Sequence, residues 1–223
     1  MASSRKSPSS RAGSPRGPGR PAGRTTADGV IADRETLLTA AERLIRRQGP
    51  DVSLEAIAAA AGVTKPILYR GVGGRGALID ALADRLNKRI TEYVAERIAG
   101  VTDPHDALER LVGGYLAYAA RERHLYLYVT AAARDDRVQS SLLLADRAAR
   151  ELAQAIAAHR SAHGADPAAA MIWAYGLVGA LHFVTLWWLR DRPMDIEQAT
   201  EQITALFWAG LSLPPLSRTR KTR

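Results

Sequence analysis

From Asp33 onward, apolar positions recur every three to four residues, and the rhythm breaks only at capping and turn residues. Leu37, Ala40, Ala41, Leu44 and Ile45 form one stripe of an amphipathic helix, and Gly49-Pro50 stops it. Ser53 is placed to cap a short second helix that presents Leu54, Ile57, Ala58 and Ala61. Gly62 suits a left-handed turn. Thr64 is then the cap of a third short helix, with Pro66 tolerated in its first turn. That helix carries Ile67, Leu68 and Tyr69 and is expected to end at Gly71. A longer helix follows from about Gly74 to Ala99, with Leu78, Ile79, Leu82, Leu86, Ile90, Tyr93 and Val94 as its apolar stripe.

The second half has the same character. Asp103-Pro104 opens a helix to about Ala120. A short helix is expected over His124–Ala132, broken by the polar run Arg134–Arg137, and another over Gln139–His163. Asp166-Pro167 opens the next, to about Arg190. The last lies between Pro193 and Leu213-Pro214-Pro215. Neither alternating strands nor an internal repeat is present in the pattern. The expected fold class is all-α, with about nine helices.

Charge changes the picture less than its total suggests. The net charge is +8, but residues 1–27 hold Arg5, Lys6, Arg11, Arg16, Arg20 and Arg24 and no acid, and the end holds Arg218, Arg220, Lys221 and Arg223. With those ten cations set aside, 21 remain against 23 acidic residues, so the body is close to neutral. Residues 1–27 are Ser, Arg, Gly and Pro with almost no large apolar side chain, the composition of a disordered basic tail. Residues 214–223 are expected to be a second basic tail. There is no cysteine, which excludes disulfides and thiolate zinc sites. The N-terminal stretch lacks the apolar run of a secretory signal, and a cytoplasmic location is expected.

The two short helices around Ala61-Gly62-Val63-Thr64 meet the needs of a helix-turn-helix. Small residues from Ala58 to Ala61 permit close approach, Gly62 makes the turn, and Val63 and Leu68 are spaced to pack on Leu54 and Ile57. The second helix would then expose Lys65, Pro66, Tyr69 and Arg70. From Ala56 to Gly76 the only charges are Lys65, Arg70 and Arg75, a local bias that suits a phosphate-facing surface.

The stretch Leu37 to Leu82 resembles the TetR family of one-component bacterial regulators. The matching motifs are Ile57-Ala58, Ala61-Gly62-Val63-Thr64, Leu68-Tyr69 and the basic Arg75 at the start of the following helix. The resemblance implies a DNA-binding domain over residues 28–82 and an effector-binding and dimerisation domain over 83–213. It implies that Ser53, Thr64 and Tyr69 hold phosphates, that Lys65 and Pro66 face base edges in the major groove, and that Arg75 lies near the backbone; Arg70 is a further DNA-binding candidate from the local positive charge. Tyr69 is also a candidate core aromatic. Lys65 and Arg70 are also candidate solvated charges. Arg20, flanked by Gly and Pro, is a candidate for a narrow minor groove. One departure stands out: where the family usually has His or Tyr and then Phe, this chain has Gly71-Val72. The lost aromatic packing is on the order of 1–3 kcal/mol. Either DNA affinity is lowered or neighbouring contacts compensate.

The resemblance further implies an effector pocket in the second domain. Candidate lining residues are Tyr93, Leu111, Tyr115, Tyr118, Tyr126, Leu143, Arg147, Trp173, Leu177 and His182, each also a candidate core residue. They suit a small hydrophobic or aromatic effector, with Arg147 available to a carboxylate if the ligand is an acyl chain. The last two helices would pair with those of a second copy, with Trp187, Trp188, Ile196, Ile203, Leu206, Phe207 and Trp208 supplying apolar area and Gly176 and Gly179 permitting close approach. The partners expected are a double-stranded DNA operator, a small effector and a second copy of the chain. The function expected is a sequence-specific regulator, released from its operator by the effector. No cofactor and no metal are expected.

Three other signals stand in the sequence. Gly71-x-Gly73-x-x-Gly76 matches a dinucleotide fingerprint but lacks the preceding strand and βαβ unit that the motif needs. His159 and His163 lie four apart on a helix, without a third metal ligand. Met171 to Leu189 runs 19 residues without a formal charge, long enough for a bilayer span, though a helix apolar all round is equally a buried one. The rival functions are thus a membrane-associated helical protein and a helical enzyme. No nucleophile or metal constellation supports the enzyme.

Overall fold

The structure is a computed structural model that describes residues 33–131 and 139–212, without the side chains of 139–144, 147 and 210–212. Both basic tails (with Arg20), the Arg134–Arg137 break and the side chains of Leu143 and Arg147 lie outside the described residues. Among the described residues there are nine α-helices and no strand: α1 Arg34–Gln48, α2 Leu54–Ala60, α3 Lys65–Val72, α4 Gly74–Ile98, α5 Pro104–Arg121, α6 Arg123–Ala131, α7 Gln139–Ala162, α8 Ala170–Asp191 and α9 Ile196–Ser212.

Several helices begin where the sequence places a cap. Ser53 accepts a hydrogen bond from the Ala56 N–H at 3.1 Å, and Asp103 accepts one from the Asp106 N–H at 2.9 Å. Asp166 accepts from the Ala168 N–H at 2.8 Å, opening a single 3-10 turn, Pro167–Ala169, that leads into α8. Thr64 has the extended backbone of an N-cap but makes no side-chain cap bond.

The helix-turn-helix forms as expected, with Gly62 at φ +69°. Leu68 and Ile57 are fully buried, Ala58 is nearly so, and Leu54 and Val63 pack against the same core. The end of α3 differs from expectation. The helix runs through Gly71 to Val72, and Gly73 (φ +88°) and Gly74 (φ +93°) make the left-handed turn into α4. Gly71 needs no left-handed backbone; the pair after it does. Val72 is buried, and the Tyr69 ring packs beside the turn, where a Cβ on Gly74 would lie 3.6 Å from it.

α4 is the spine. It packs against α1 and α3 of the three-helix unit α1–α3, the reading head that the helix-turn-helix resemblance implies, and against α5, α6 and α7 in the body, while α7 pairs with α8 and α5 with α9. One continuous apolar core runs from Leu37 of α1 to Ile203 of α9. Beside it sits a clamp of charged groups. Glu42 of α1 is 3% exposed. Its carboxylate accepts from Arg89 at 2.9 Å, Arg46 at 3.2 Å and Arg85 at 3.4 Å. Arg46 continues to Glu122 at 2.7 Å, and its carbonyl oxygen lies 2.9 Å from His124 Nδ1. The clamp ties α1 to α4 and to the α5–α6 corner.

α8 is buried in the helical body on one face only. Leu177, Leu181, Thr185, Trp188 and Leu189 are buried, but Ile172 is 75% and Phe183 69% exposed, and Tyr175 and Trp187 also face outward. By length and composition Pro167–Asp191 is apolar enough to cross a membrane. Its buried face and its capping turn belong to the helical body. On α9, Leu206 is 67% exposed. Trp188 and Ile203, expected at an intermolecular face, are instead spent on the internal core, where Trp188 Nε1 donates to the Met194 carbonyl at 3.0 Å. Ile196, Phe207 and Trp208 pack partly against that core.

Candidate nucleic-acid interface and internal cavity

The reading head gathers four of the expected residues around one polar cleft. Ser53, Lys65, Tyr69 and Arg75 line it, together with Glu55 and Tyr128. Thr64, Pro66 and Arg70 are exposed nearby on α3 and its cap. Tyr69 is 40% exposed, so it is a surface residue and not a core aromatic. Lys65 is not a solitary cation. Its ammonium bonds the Glu55 carboxylate of α2 and sits 5.9 Å from the Tyr69 ring centre. The hydrogen bond to Lys65 holds the Glu55 carboxyl below its usual range, and Glu55 raises Lys65 in return. Burial pushes the Tyr128 phenol up, opposed by the nearby Arg75 charge. Glu55 and Tyr128 were not anticipated. Glu55 lies one position outside the charge-biased stretch, and Tyr128 arrives from α6, distant in sequence.

A second, largely apolar cavity of about 210 Å³ lies between α4, α5, α7 and α8. α4 supplies Asn87, Ile90, Thr91, Val94, Ala95 and Ile98. The facing wall carries Leu111 and Tyr115 of α5, Leu152 of α7, and Leu177, Leu181 and His182 of α8. Behind it runs a buried polar chain. The hydroxyls of Tyr115 and Tyr126 are 2.9 Å apart, and Tyr126 Oη is 2.8 Å from His182 Nδ1. Burial pushes Tyr115 up to about 12 and Tyr126 well above the usual phenol value, and burial pulls His182 down. All three are therefore neutral near pH 7.

A family model described as "Bacterial regulatory proteins, tetR family" matches residues 37–82, and one described as "Tetracyclin repressor-like, C-terminal domain" matches residues 98–217. The second alone spans more than half of the chain. This chain belongs to the TetR family. It is 28% identical over 184 residues to an uncharacterised HTH-type transcriptional regulator, Rv0472c, of Mycobacterium tuberculosis, covering 81% of this chain and 78% of that protein. It is 26% identical over 188 residues to the HTH-type transcriptional activator FasR of Mycolicibacterium smegmatis, covering 83% and 85%. Among solved structures, a TetR-like transcriptional regulator from Rhodococcus sp. RHA1 superimposes with a TM-score of 0.57 at 25% identity, covering 81% of this chain and 97% of that one. As a TetR-family member the chain is a transcriptional regulator with a DNA-binding helix-turn-helix.

Of the residues expected in the effector pocket, Leu111, Tyr115, Leu177 and His182 line the cavity. Four do not. Tyr93 and Tyr118 pair with each other edge to face at 5.1 Å, and Arg97 lies over Tyr93. Trp173 lies under Arg160 at 4.4 Å, between α7 and α8. Tyr126 stands one hydrogen bond behind the wall. The α4 residues Asn87 and Thr91 went unanticipated because they flank the apolar stripe and do not belong to it.

Proposed function

We propose that the chain is a homodimeric TetR regulator that binds a near-palindromic operator and is released from it by a small effector held in the α4–α8 cavity. The observation that carries this reading is the position of α4. The same helix packs on α1 and α3 of the reading head and forms the longest wall of the cavity. A ligand that favours one placement of α4 over another biases the spacing of the two reading heads in a dimer. Ser53, Thr64 and Tyr69 would meet phosphates, Lys65 and Pro66 base edges, and Arg70 and Arg75 the backbone. Arg20 would add a minor-groove contact from the tail. The division into a reading head over 28–82 and a sensing body over 83–213 follows these roles.

The exposed apolar faces of α8 and α9 support dimerisation. Ile172, Phe183 and Trp187 lie along one helix and Leu206 on the other. A Cβ at Gly176 or Gly179 would meet nothing within 4 Å, which leaves room for a partner helix to approach closely. This face then serves a second copy and not a bilayer, consistent with a cytoplasmic protein at the nucleoid. The chemistry of both sites is that of binding, and no catalytic role is assigned.

The experiment is footprinting upstream of the protein's own gene, followed by titration of the protected fragment at several salt concentrations. Lys65→Ala and Arg75→Ala are expected to weaken binding, and each to reduce the log–log salt slope by about 1. Equal affinity for the protected fragment and random DNA would overturn the sequence-specific reading. An unchanged slope in both variants would overturn the phosphate assignment. Transcription from that promoter is expected to rise when the gene is deleted, the direction of a repressor.

A further inference from the structure

The cavity differs from a simple apolar pocket in one respect. Asn87 is 6% exposed and lines it, yet its side-chain amide makes no hydrogen bond among the described residues. Its amide atoms are not among the polar atoms sealed from solvent without a partner; they open on the cavity, where a water or a ligand can bond them. On the facing wall, Tyr115 and His182 are the two ends of the three-membered hydrogen-bond chain through Tyr126.

That chain has a definite proton count. Neutral, it holds two phenol protons and one imidazole proton. If Tyr115 donates to Tyr126 and Tyr126 to His182 Nδ1, the proton on His182 is at Nε2, and the Tyr115 oxygen is left as an acceptor. If His182 Nδ1–H donates to Tyr126 and Tyr126 to Tyr115, then Tyr115 keeps a free O–H and His182 Nε2 becomes an acceptor. In both arrangements the two ends offer one donor and one acceptor, and the wall carries no net charge. Asn87 opposite offers the same pair. The described lining residues include no lysine or arginine, and their one carboxyl group is that of Glu151. A buried carboxylate ligand would be desolvated here without a cation from those residues.

We propose that the cavity selects a compact, electrically neutral ligand, with an apolar body and a single hydroxyl, carbonyl or ester group that bonds Asn87 and one end of the Tyr115–Tyr126–His182 chain. This rests on the reading of the cavity as the effector site. A volume of about 210 Å³ lies below the ~300–1,000 Å³ that drug-sized ligands usually occupy, so the apolar body is a small one.

The test is calorimetric titration of the full-length protein at pH 8 with 1-octanol, methyl octanoate and octanoate. The alcohol and the ester are expected to bind, and ionised octanoate to bind at least about tenfold more weakly. Asn87→Leu is expected to weaken octanol binding about five- to tenfold while leaving the melting temperature of the ligand-free protein unchanged, because its amide bonds nothing else among the described residues. A merely structural Asn87 would give a lowered melting temperature instead. Octanoate binding as tightly as octanol overturns the proposal, and its loss in Arg147→Gln would assign the carboxylate to that arginine. Failure of both neutral probes to bind overturns it as well. Ala148→Phe, with its helical signal checked by circular dichroism, narrows the cavity and is expected to abolish octanol binding. Octanol binding that survives this change places the ligand elsewhere and refutes the effector-site reading, separately from the head-group chemistry.

Discussion

The Glu42 clamp makes a quantitative prediction. Glu42→Gln keeps the shape of the side chain but removes the charge that faces Arg46, Arg85 and Arg89. Each hydrogen bond to a charged partner contributes about 1.5–3 kcal/mol when well made. The three here are unequal: 2.9 Å is a good bond, 3.2 Å a fair one and 3.4 Å a weak one. The guanidinium groups are partly exposed, so they recover much of their hydration when the carboxylate goes. Arg46 also keeps Glu122, and Arg85 keeps Glu35. The retained amide oxygen still accepts one bond. The expected loss is therefore about 2 kcal/mol, well below the sum of three full bonds. Urea unfolding at one fixed protein concentration is the assay, because a dimer's stability depends on concentration. The midpoint is expected to fall with the slope unchanged. A double-mutant cycle with Arg89→Gln is expected to show a coupling of about 1 kcal/mol. A Glu42→Gln midpoint equivalent to less than about 0.5 kcal/mol of change would show that the clamp is held by the apolar packing around it and adds nothing of its own.

Other outcomes follow from the same structure. Gly74→Ala forces a side chain onto a backbone at φ +93° and is expected to cost about 1–2 kcal/mol, seen as a lower melting temperature together with weaker operator binding. His182 is pulled by burial below its ordinary 6.5, so as pH falls the unfolded chain takes up the proton first. Its contribution to stability is complete above about pH 6.5 and declines below it; the urea midpoint of His182→Asn is expected to fall less between pH 7 and pH 5 than that of the wild type, and parallel falls would refute this. Ile172→Asp with Phe183→Asp is expected to give a helical monomer in sedimentation velocity at micromolar concentration, where the unmodified protein is expected to be a dimer; an unaltered dimer would move the interface off α8.

The helices were legible because their signals are local. Ser53, Asp103 and Asp166 cap where their side chains can reach the next turn, and the apolar stripes of α1 and α4 are continuous. The end of α3 was harder to place. Gly71, Gly73 and Gly74 are equally permissive residues, and only the backbone dihedrals show that Gly73 and Gly74 carry the left-handed turn. The cavity was half legible. Leu111, Tyr115, Leu177 and His182 were recognisable by type, but Tyr93 and Tyr118 have the same character and satisfy each other. Periodicity says that a residue is inside; it does not say which neighbour it meets. The Glu42 clamp was not legible, since apart from the Glu42–Arg46 pair within α1 its bonds join residues 43 to 76 positions apart.

The clamp and the cavity sit on one helix, and their positions limit how a ligand signal can reach the DNA. At about 100° per residue, Arg85 and Arg89 occupy one side of α4, while Asn87, Ile90 and Val94 occupy the other. A ligand that seats against Asn87 therefore presses on the back of the segment whose front is tied to Glu42 of the reading head. A rigid α4 would carry that displacement to α1 through Arg85 and Arg89 as well as through the apolar contacts of Leu78, Leu82 and Leu86. The ligand shifts the equilibrium only by the difference in its affinity for the two placements of α4. Weakening the clamp should then lower operator affinity in the absence of ligand and also shrink the ligand's effect on it, since part of the transmitting contact is gone. A Glu42→Gln protein that loses stability but responds fully to ligand would assign the transmission to the apolar side of α4 alone.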